Sequence, residues 1–470
     1  MPEAAAIQGA RADESGLETV IAALRERFGK RLSTAAAVRE QHGSTLTWLA
    51  NQPADAVAFV QTTEEVAGIV ALCASHGVPV IPFGAGTSLE GHLNAPRGGI
   101  CLDLSGMNRI LEVNDGDLDC TVEAGVTRKQ LNEYLRDRGL FFPVDPGADA
   151  TIGGMAATRA SGTSAVRYGT MREAVISVTA VMADGRIVRT ARRARKSSAG
   201  YDLTRLLVGS EGTLGIITEV TLRLHGIPEA ILSAVCPFES IEGACDAAIE
   251  AIQLGLGVAR IELLDEVQIR ACNAHSHLGL AEKPTLFLEF HGTVAGAREQ
   301  VEIFREIAGR NGGGDYQWAE RPEDRNRLWT ARHEAFFAAK SWRPGCEPIV
   351  TDVCVPISRL AECVTETHRD IVACGLIAPI VGHVGDGNFH VLAMIDLNDA
   401  KEMETGKGFL KRLVERAIAM DGTCTGEHGV GSGKMGYLRA EHGAGVDVMA
   451  AIKRTLDPGN ILNPGKIIDL

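Results

Sequence analysis

Apolar and polar positions along this chain follow two rhythms, one of about 3.6 residues and one of two, and they predict elements of both kinds. Over 16–28, Leu17, Val20, Ile21 and Leu24 fall on one helical face. Thr62 and Glu65 have the spacing of a capping box, predicting a helix over 62–73 that closes at His76-Gly77. Strand-type runs follow at 78–83, 99–104 and 118–123, then a hairpin of 175–182 with 186–190 across Asp184-Gly185, and a strand at 216–224. Ile227-Pro228-Glu229 reads as a boundary. Beyond it the pattern predicts a helix over 240–254, a strand over 285–291, a charged helix over 324–340, and a turn-dense tail after Leu456. The order implies an α+β protein of more than one domain.

Between these elements lie turns rich in small residues. Gly84-Ala85-Gly86-Thr87-Ser88 follows the strand at 78–83 and allows close backbone approach to a phosphate. A Rossmann unit would need a crossover helix next, but Asn94-Ala95-Pro96-Arg97-Gly98-Gly99 cannot supply one. The stretch with Gly153, Gly154, Ala156, Ala157, Ser161 and Gly162 carries few bulky side chains, so it either lies flat against a large ligand or is a plain loop.

The strongest metal-site signal is Gly382-His383-Val384-Gly385-Asp386-Gly387-Asn388-Phe389-His390. A two-residue primed turn at Asp386-Gly387, joining strands over 376–384 and 389–395, puts 383 opposite 390. Opposed residues share a face with Cβ atoms roughly 5 Å apart, close enough for two imidazoles to bind one divalent cation. Glu427, in Gly426-Glu427-His428-Gly429, offers an acidic third ligand.

Composition narrows the partners. Of 470 residues, 45% are hydrophobic and the formal net charge is -13, which argues against nucleic acid, since phosphate neutralisation needs clustered cations. The one basic cluster, 189–196, reads as a solvated loop. Eleven scattered cysteines without a C-x-x-C pair indicate neither an iron-sulfur cluster nor a zinc ribbon and fit reduced thiols in the cytoplasm. Residues 1–28 lack a signal or transit pattern, and no run of ~18 apolar residues predicts a membrane span, leaving only peripheral membrane contact open.

Seven separated segments, 82–91, 143–147, 153–169, 209–215, 382–390, 426–429 and 463–466, resemble in order the FAD-linked D-2-hydroxy acid dehydrogenases, flavoproteins of the vanillyl-alcohol oxidase type. The resemblance implies a two-part FAD-binding domain and an α+β substrate (cap) domain with an antiparallel sheet. Residues 1–227 would bind FAD, 228–425 would form the cap with the histidine hairpin, and 426–470 would return to the FAD. It implies that Pro82, Gly84, Ala85, Gly86, Thr87 and Ser88 cradle the pyrophosphate, while Pro146, Gly147, Gly153, Gly154, Ser161, Gly162, Tyr168, Gly169 and Thr170 line the flavin. Glu211, Gly212, Ile216 and Ile217 would lie near the adenosine, with Asn463 returning to the ring. His92 does not match a covalent linkage site, so FAD is expected to be held non-covalently.

The same resemblance implies a divalent metal, Zn²⁺ first and Mn²⁺ or Fe²⁺ next, on His383, His390 and Glu427. His428 would be the base and Arg332 the carboxylate anchor. Asn388 would hold a substrate oxygen or a ligand, or simply form the turn, and His333 would be structural. D-lactate is the expected substrate, with electrons passing to a cytochrome, a quinone or a carrier flavoprotein. The alternatives are D-2-hydroxyglutarate, for which Lys340 and Arg343 are candidate second anchors, glycolate, and a flavin-binding subunit or sensor without turnover. A homodimer is compatible with the sequence.

Overall fold

The computed structural model describes residues 11, 13–45, 47–319 and 321–470. Of the stretch 1–28, on which the expectation about a leader rests, 1–10 and 12 lie outside the described residues. The chain forms two compact units. One contains Met1–Ser161, Gly169–Ile227 and Glu427–Leu470; the other contains Gly162–Tyr168 and Pro228–Gly426.

In the first unit, Ala56–Phe59 and Val80–Phe83 each pair in parallel with Ile100–Asp103. Helices Glu14–Phe28 and Thr63–Ser75 bury Val20, Leu24, Phe28, Val66, Ile69 and Val70 in the core of that sheet. Thr62 Oγ1 accepts the Glu65 N–H at 3.2 Å as the capping spacing requires. The box closes only halfway, because the Glu65 carboxylate turns to the Gln61 N–H at 2.8 Å and to the Arg31 guanidinium at 2.6 and 2.8 Å. A second, antiparallel sheet orders Ile110–Asn114, Asp119–Glu123, Ile216–Arg223, Val175–Val181 and Ile187–Arg189. The basic stretch after it is partly neutralised, Arg193 reaching Asp117 at 2.7 Å and Asp119 at 3.1 Å.

The small-residue stretch is not a flat loop throughout. Ile152–Thr158 is a short helix capped by Thr151, and a Cβ on Gly153 would stand 2.5 Å from Ala124 Cβ, so this glycine serves packing. The tail extends the first sheet: Leu462 bridges Val80 in parallel, with Val80 N–H donating to Ile461 O at 2.7 Å and Asn463 N–H to Val80 O at 2.9 Å.

The second unit is built on an eight-stranded sheet in the order Gln317–Ala319, Ala230–Pro237, Thr285–Gly292, Val258–Leu264, Ile380–Gly382, Asn388–Ile395 and Glu347–Val350, with Val353–Cys354 also pairing Asn388–Ile395. Every ladder in it is antiparallel. One face packs against long helices, as where Phe290 meets Phe304 of Val294–Arg310. The register divides the other face in two. Val235, Phe287, Leu264, Val381, Leu392 and Met394 form an apolar half that packs with residues of the helices Glu266–Ser276, Pro322–His333 and Ala335–Trp342. Continuing along the same strands, alternation places Ser233, Glu289, His291, Arg260, Glu262 and His390 on that face as a polar half.

Two expectations are corrected here. The segment 324–340 is two helices, separated at Glu334, whose ψ of 3° leaves the helical range without any proline or glycine to announce it. The histidine hairpin has no two-residue primed turn. Such a turn needs positive φ at its first central residue, here Asp386, and only the second, Gly387, at φ 79°, has it. Val384–Asp386 instead forms a 3-10 turn that buries Val384, and the ladder pairs Val381, rather than 383, with His390. A slip of two residues preserves the face, so both histidines still meet.

Candidate active site

The polar half of the sheet face holds two imidazoles side by side. His383 and His390 are 8% and 6% exposed, with ring centroids 5.5 Å apart. Each has its Nδ1 anchored, His383 to Glu262 Oε1 at 2.7 Å and His390 to the carbonyl of Thr351 at 3.0 Å. Both acceptors are oxygens, which places the ring hydrogen on Nδ1 and the lone pair on Nε2. Asp352 Oδ1 lies 3.7 Å from His390 Nδ1 and accepts from Asn388 Nδ2 at 2.8 Å, while its Oδ2 accepts from Thr425 Oγ1 at 2.8 Å. Asn388 Nδ2 also donates to Val353 O at 2.8 Å. Gly426 closes this corner. A Cβ there would come within 2.2 Å of Asn388 Nδ2, and Glu427 follows it directly in the chain.

Arg332 occupies the last turn of Pro322–His333 and is buried, unlike Arg325 and Arg327 of the same helix. Its Nε and Nη2 donate to Glu262 Oε2 at 3.0 and 2.5 Å. One turn earlier Trp329 donates from Nε1 to Ser233 Oγ at 3.0 Å, with the Arg260 guanidinium 4.8 Å from its ring centre. Arg260 also pairs with Glu289 at 3.4 Å. Burial opposes ionisation of Glu289, but Arg260 and His291 hold its carboxyl below the ordinary value. His291 bridges onward, from Glu289 Oε1 at 2.8 Å to the Tyr168 hydroxyl at 2.7 Å. His333 bonds the Trp329 carbonyl at 2.6 Å.

In the first unit the polar centre is Glu211, 5% exposed and at φ 54°. Its carboxylate accepts from the Val430 and Gly431 N–H groups at 2.6 and 2.8 Å and pairs with His92 Nε2 at 3.2 Å. Burial pushes its pKa up, and His92 with the two N–H groups more than reverses this, leaving it below the ordinary carboxylate value. Its contribution to stability is therefore complete above the unfolded value and lost as pH falls through the lowered one. Glu211→Gln should cost about 2 kcal/mol at neutral pH, a deficit that shrinks on acidification. Thermal melts of both proteins from pH 7 to pH 3 check this, a pH-independent difference being the contrary result. Asn463 Nδ2 donates to the Glu211 carbonyl at 2.7 Å, while Lys466 Nζ donates to Asn94 O at 2.6 Å, burial bringing that amine down to about 7. His428 Nδ1 stands 3.7 Å from Glu90 Oε1, which Lys434 also reaches at 3.0 Å.

The family model described as FAD binding domain matches residues 54–191, and that described as FAD linked oxidases, C-terminal domain, matches 227–467. A protein named probable D-lactate dehydrogenase, mitochondrial, from Danio rerio is 52% identical over 98% of this chain and 93% of its own length. The chain belongs to the FAD-linked D-lactate dehydrogenase family. The D-lactate dehydrogenase [cytochrome], mitochondrial, of Arabidopsis thaliana is 50% identical over 88% of this chain and 73% of its own. The fold is that of p-cresol methylhydroxylase, with a TM-score of 0.82 over 97% of this chain and 98% of the other at 17% identity. This is the expected vanillyl-alcohol oxidase architecture, with an α+β second domain.

The first unit of this family member fits FAD. After the strand Val80–Phe83 the turn through Gly86, at φ 69°, carries no bulky side chain from Gly84 to Ser88. A Cβ on Gly84 would meet Thr151 Oγ1 at 2.3 Å, and one on Gly212 would meet Pro82 Cγ at 2.5 Å, so the loops close on one another as backbone. Ser88 Oγ, Ser210 Oγ and Asn463 Oδ1 are buried without a protein hydrogen-bond partner, as expected of groups that contact a polar ligand. Other expected FAD residues have structural duties. Thr170 caps Met171–Ala174, Ile216 and Ile217 lie in the cores, and Gly162 and Tyr168 belong to the second unit. Pro146 and Gly147 lie beyond the buried Val144 and Asp145, while Ser161 is buried. Gly169, at φ 80°, leads into the Thr170 cap.

Sequence reasoning missed Glu262 and Asp352. A usable signal existed for the first: Arg260 and Glu262 are the alternate polar positions of an otherwise apolar, buried strand, Val258–Leu264. Among the described residues no helix is long and apolar enough to cross a membrane.

Proposed function

We propose that the protein oxidises a D-2-hydroxy acid, D-lactate first among them, to its 2-oxo acid and passes the electrons to an external acceptor. A cytochrome is the acceptor favoured by the relatives' names, ahead of a quinone or a carrier flavoprotein. When bound, FAD supplies the hydride acceptor at N5 and a divalent metal supplies Lewis acidity toward the substrate hydroxyl.

Residues 1–227 with 426–470 are assigned to FAD, held non-covalently because His92 is paired with Glu211, and 228–425 to substrate. His383 and His390, with Glu427, are assigned as metal ligands, a His₂Glu set that favours Zn²⁺. Arg332 takes the substrate carboxylate through Nη1, its Nε and Nη2 being held by Glu262. His428 takes the hydroxyl proton at Nε2, its Nδ1 lying on the Glu90 side. Asn388 acts indirectly, holding Asp352 beside His390.

The observation that carries this reading is the buried sheet face on which two anchored imidazoles lie side by side, one of them, His383, sharing the Glu262 carboxylate with a buried guanidinium. Substrate size follows from the other cations. Lys340 pairs with Glu347 at 2.7 Å and Arg343 with Glu402 at 2.6 Å, so neither is offered to a second carboxylate, which supports a monocarboxylate such as lactate over D-2-hydroxyglutarate. Eleven free cysteines support a thiol-reducing compartment such as the cytoplasm.

An anaerobic titration tests the assignment. D-lactate should bleach the oxidised flavin band, L-lactate should not, and prior chelation should prevent it. Absence of bleaching with D-lactate and with other D-2-hydroxy acids would remove the dehydrogenase reading in favour of a flavin-holding subunit.

A further inference from the structure

We propose that Glu262 is a positioning residue that fixes the metal-ligand imidazole of His383 and the carboxylate anchor Arg332 to one another, setting the distance between the two ends of a bound 2-hydroxy acid. This rests on the dehydrogenase reading given above for His383 and Arg332.

The backbone sets the arrangement first. Val258–Leu264 is an interior strand of the sheet, and its ladder pairs Leu263 with Gly382. Continuing that antiparallel register by one residue brings 262 across from 383, on the face that also carries His390. The side chains then complete it. Glu262 is 0% exposed, its Oε1 accepts from His383 Nδ1 at 2.7 Å, and its Oε2 accepts from Arg332 Nε and Nη2 at 3.0 and 2.5 Å. With a carboxylate as acceptor, the His383 hydrogen sits on Nδ1 and the ring lone pair on Nε2, the form in which an imidazole binds a metal.

Arg332 in turn supplies the cation without which a buried carboxylate is unfavourable. Each partner thus constrains the other. A planar guanidinium gripped along its Nε–Nη2 edge can present only its remaining edge to a ligand. An imidazole gripped at Nδ1 has one ring orientation. The carboxylate between them sits on a strand paired on both sides, the most rigid kind of support the fold offers. A glutamine of the same size has a single acceptor oxygen and an NH₂ that repels either donor, so it can serve His383 or Arg332 but not both.

The test uses the full-length flavoprotein. Glu262→Gln should keep its FAD, bind Zn²⁺ roughly 10–100-fold more weakly in a chelator competition, and show KM for D-lactate raised by a comparable factor. Glu262→Asp, which keeps the charge but shortens the reach, should fall between. A second measurement needs no Glu262 variant. Long-range ¹⁵N spectra of histidine in the metal-free wild type, assigned through His383→Ala, should show His383 protonated at Nδ1. A folded Glu262→Gln with wild-type Zn²⁺ affinity and KM would overturn the proposal, as would an Nε2-protonated His383. The spectrum decides if Glu262→Gln does not fold. His383→Ala separates the two levels. If it binds Zn²⁺ as the wild type does, the metal reading itself falls. If it loses Zn²⁺ while Glu262→Gln keeps both properties, only the role of Glu262 falls.

Discussion

His390→Ala is expected to retain FAD, lose the divalent metal, and reduce its flavin with D-lactate at least ~10³-fold more slowly, corresponding to about 4 kcal/mol of barrier. The reasoning is local. His390 is held by the Thr351 carbonyl at 3.0 Å in a strand whose core neighbours, Phe389 and Val391, are 0% exposed, so removing the imidazole leaves the ladder intact. What disappears is the proposed ligand atom and the bond to the Thr351 carbonyl. Elemental analysis beside stopped-flow reduction separates the outcomes, and unchanged metal content would end the assignment of His390 as a ligand.

Arg332→Met should strike stability and substrate binding together. It leaves Glu262, 0% exposed, without its cation, and breaking a buried pair in this way costs roughly 3–5 kcal/mol. KM for D-lactate should rise about a hundredfold with loss of the charged anchor. The two effects part in the double variant Glu262→Gln with Arg332→Met. Removing the orphaned charge should recover much of the stability while KM stays high. Urea unfolding and steady-state kinetics on the four proteins of the cycle measure both. Additive losses in stability would show that the two side chains do not act as a pair.

The legible parts of the site were those written within a few residues of one another. His383 and His390 are joined by one tight turn, and a face-preserving slip of two in register did not separate them. Their common neighbour was harder to see. Glu262 is 121 residues from His383 and 70 from Arg332 in sequence, and only the strand order brings it to either. The same limit hid Asp352, whose bond to Asn388 spans 36 residues. In the fold, alternation and capping spacing marked most strands and helices, including the hairpin of Val175–Val181 with Ile187–Arg189. The break at Glu334 carries no proline or glycine and so left no local mark.

The divided layout of the first unit bears on how the chain is made. Asn463 donates to the carbonyl of His92, 371 residues earlier, and Lys466 to that of Asn94. Everything from Pro228 to Gly426 belongs to the other unit and leaves the ribosome before those bonds can form. The inserted unit, continuous in sequence apart from the short piece Gly162–Tyr168, can settle while synthesis is still under way. The interrupted unit must wait with an unfinished sheet edge beside Val80 until the last residues of the chain are made.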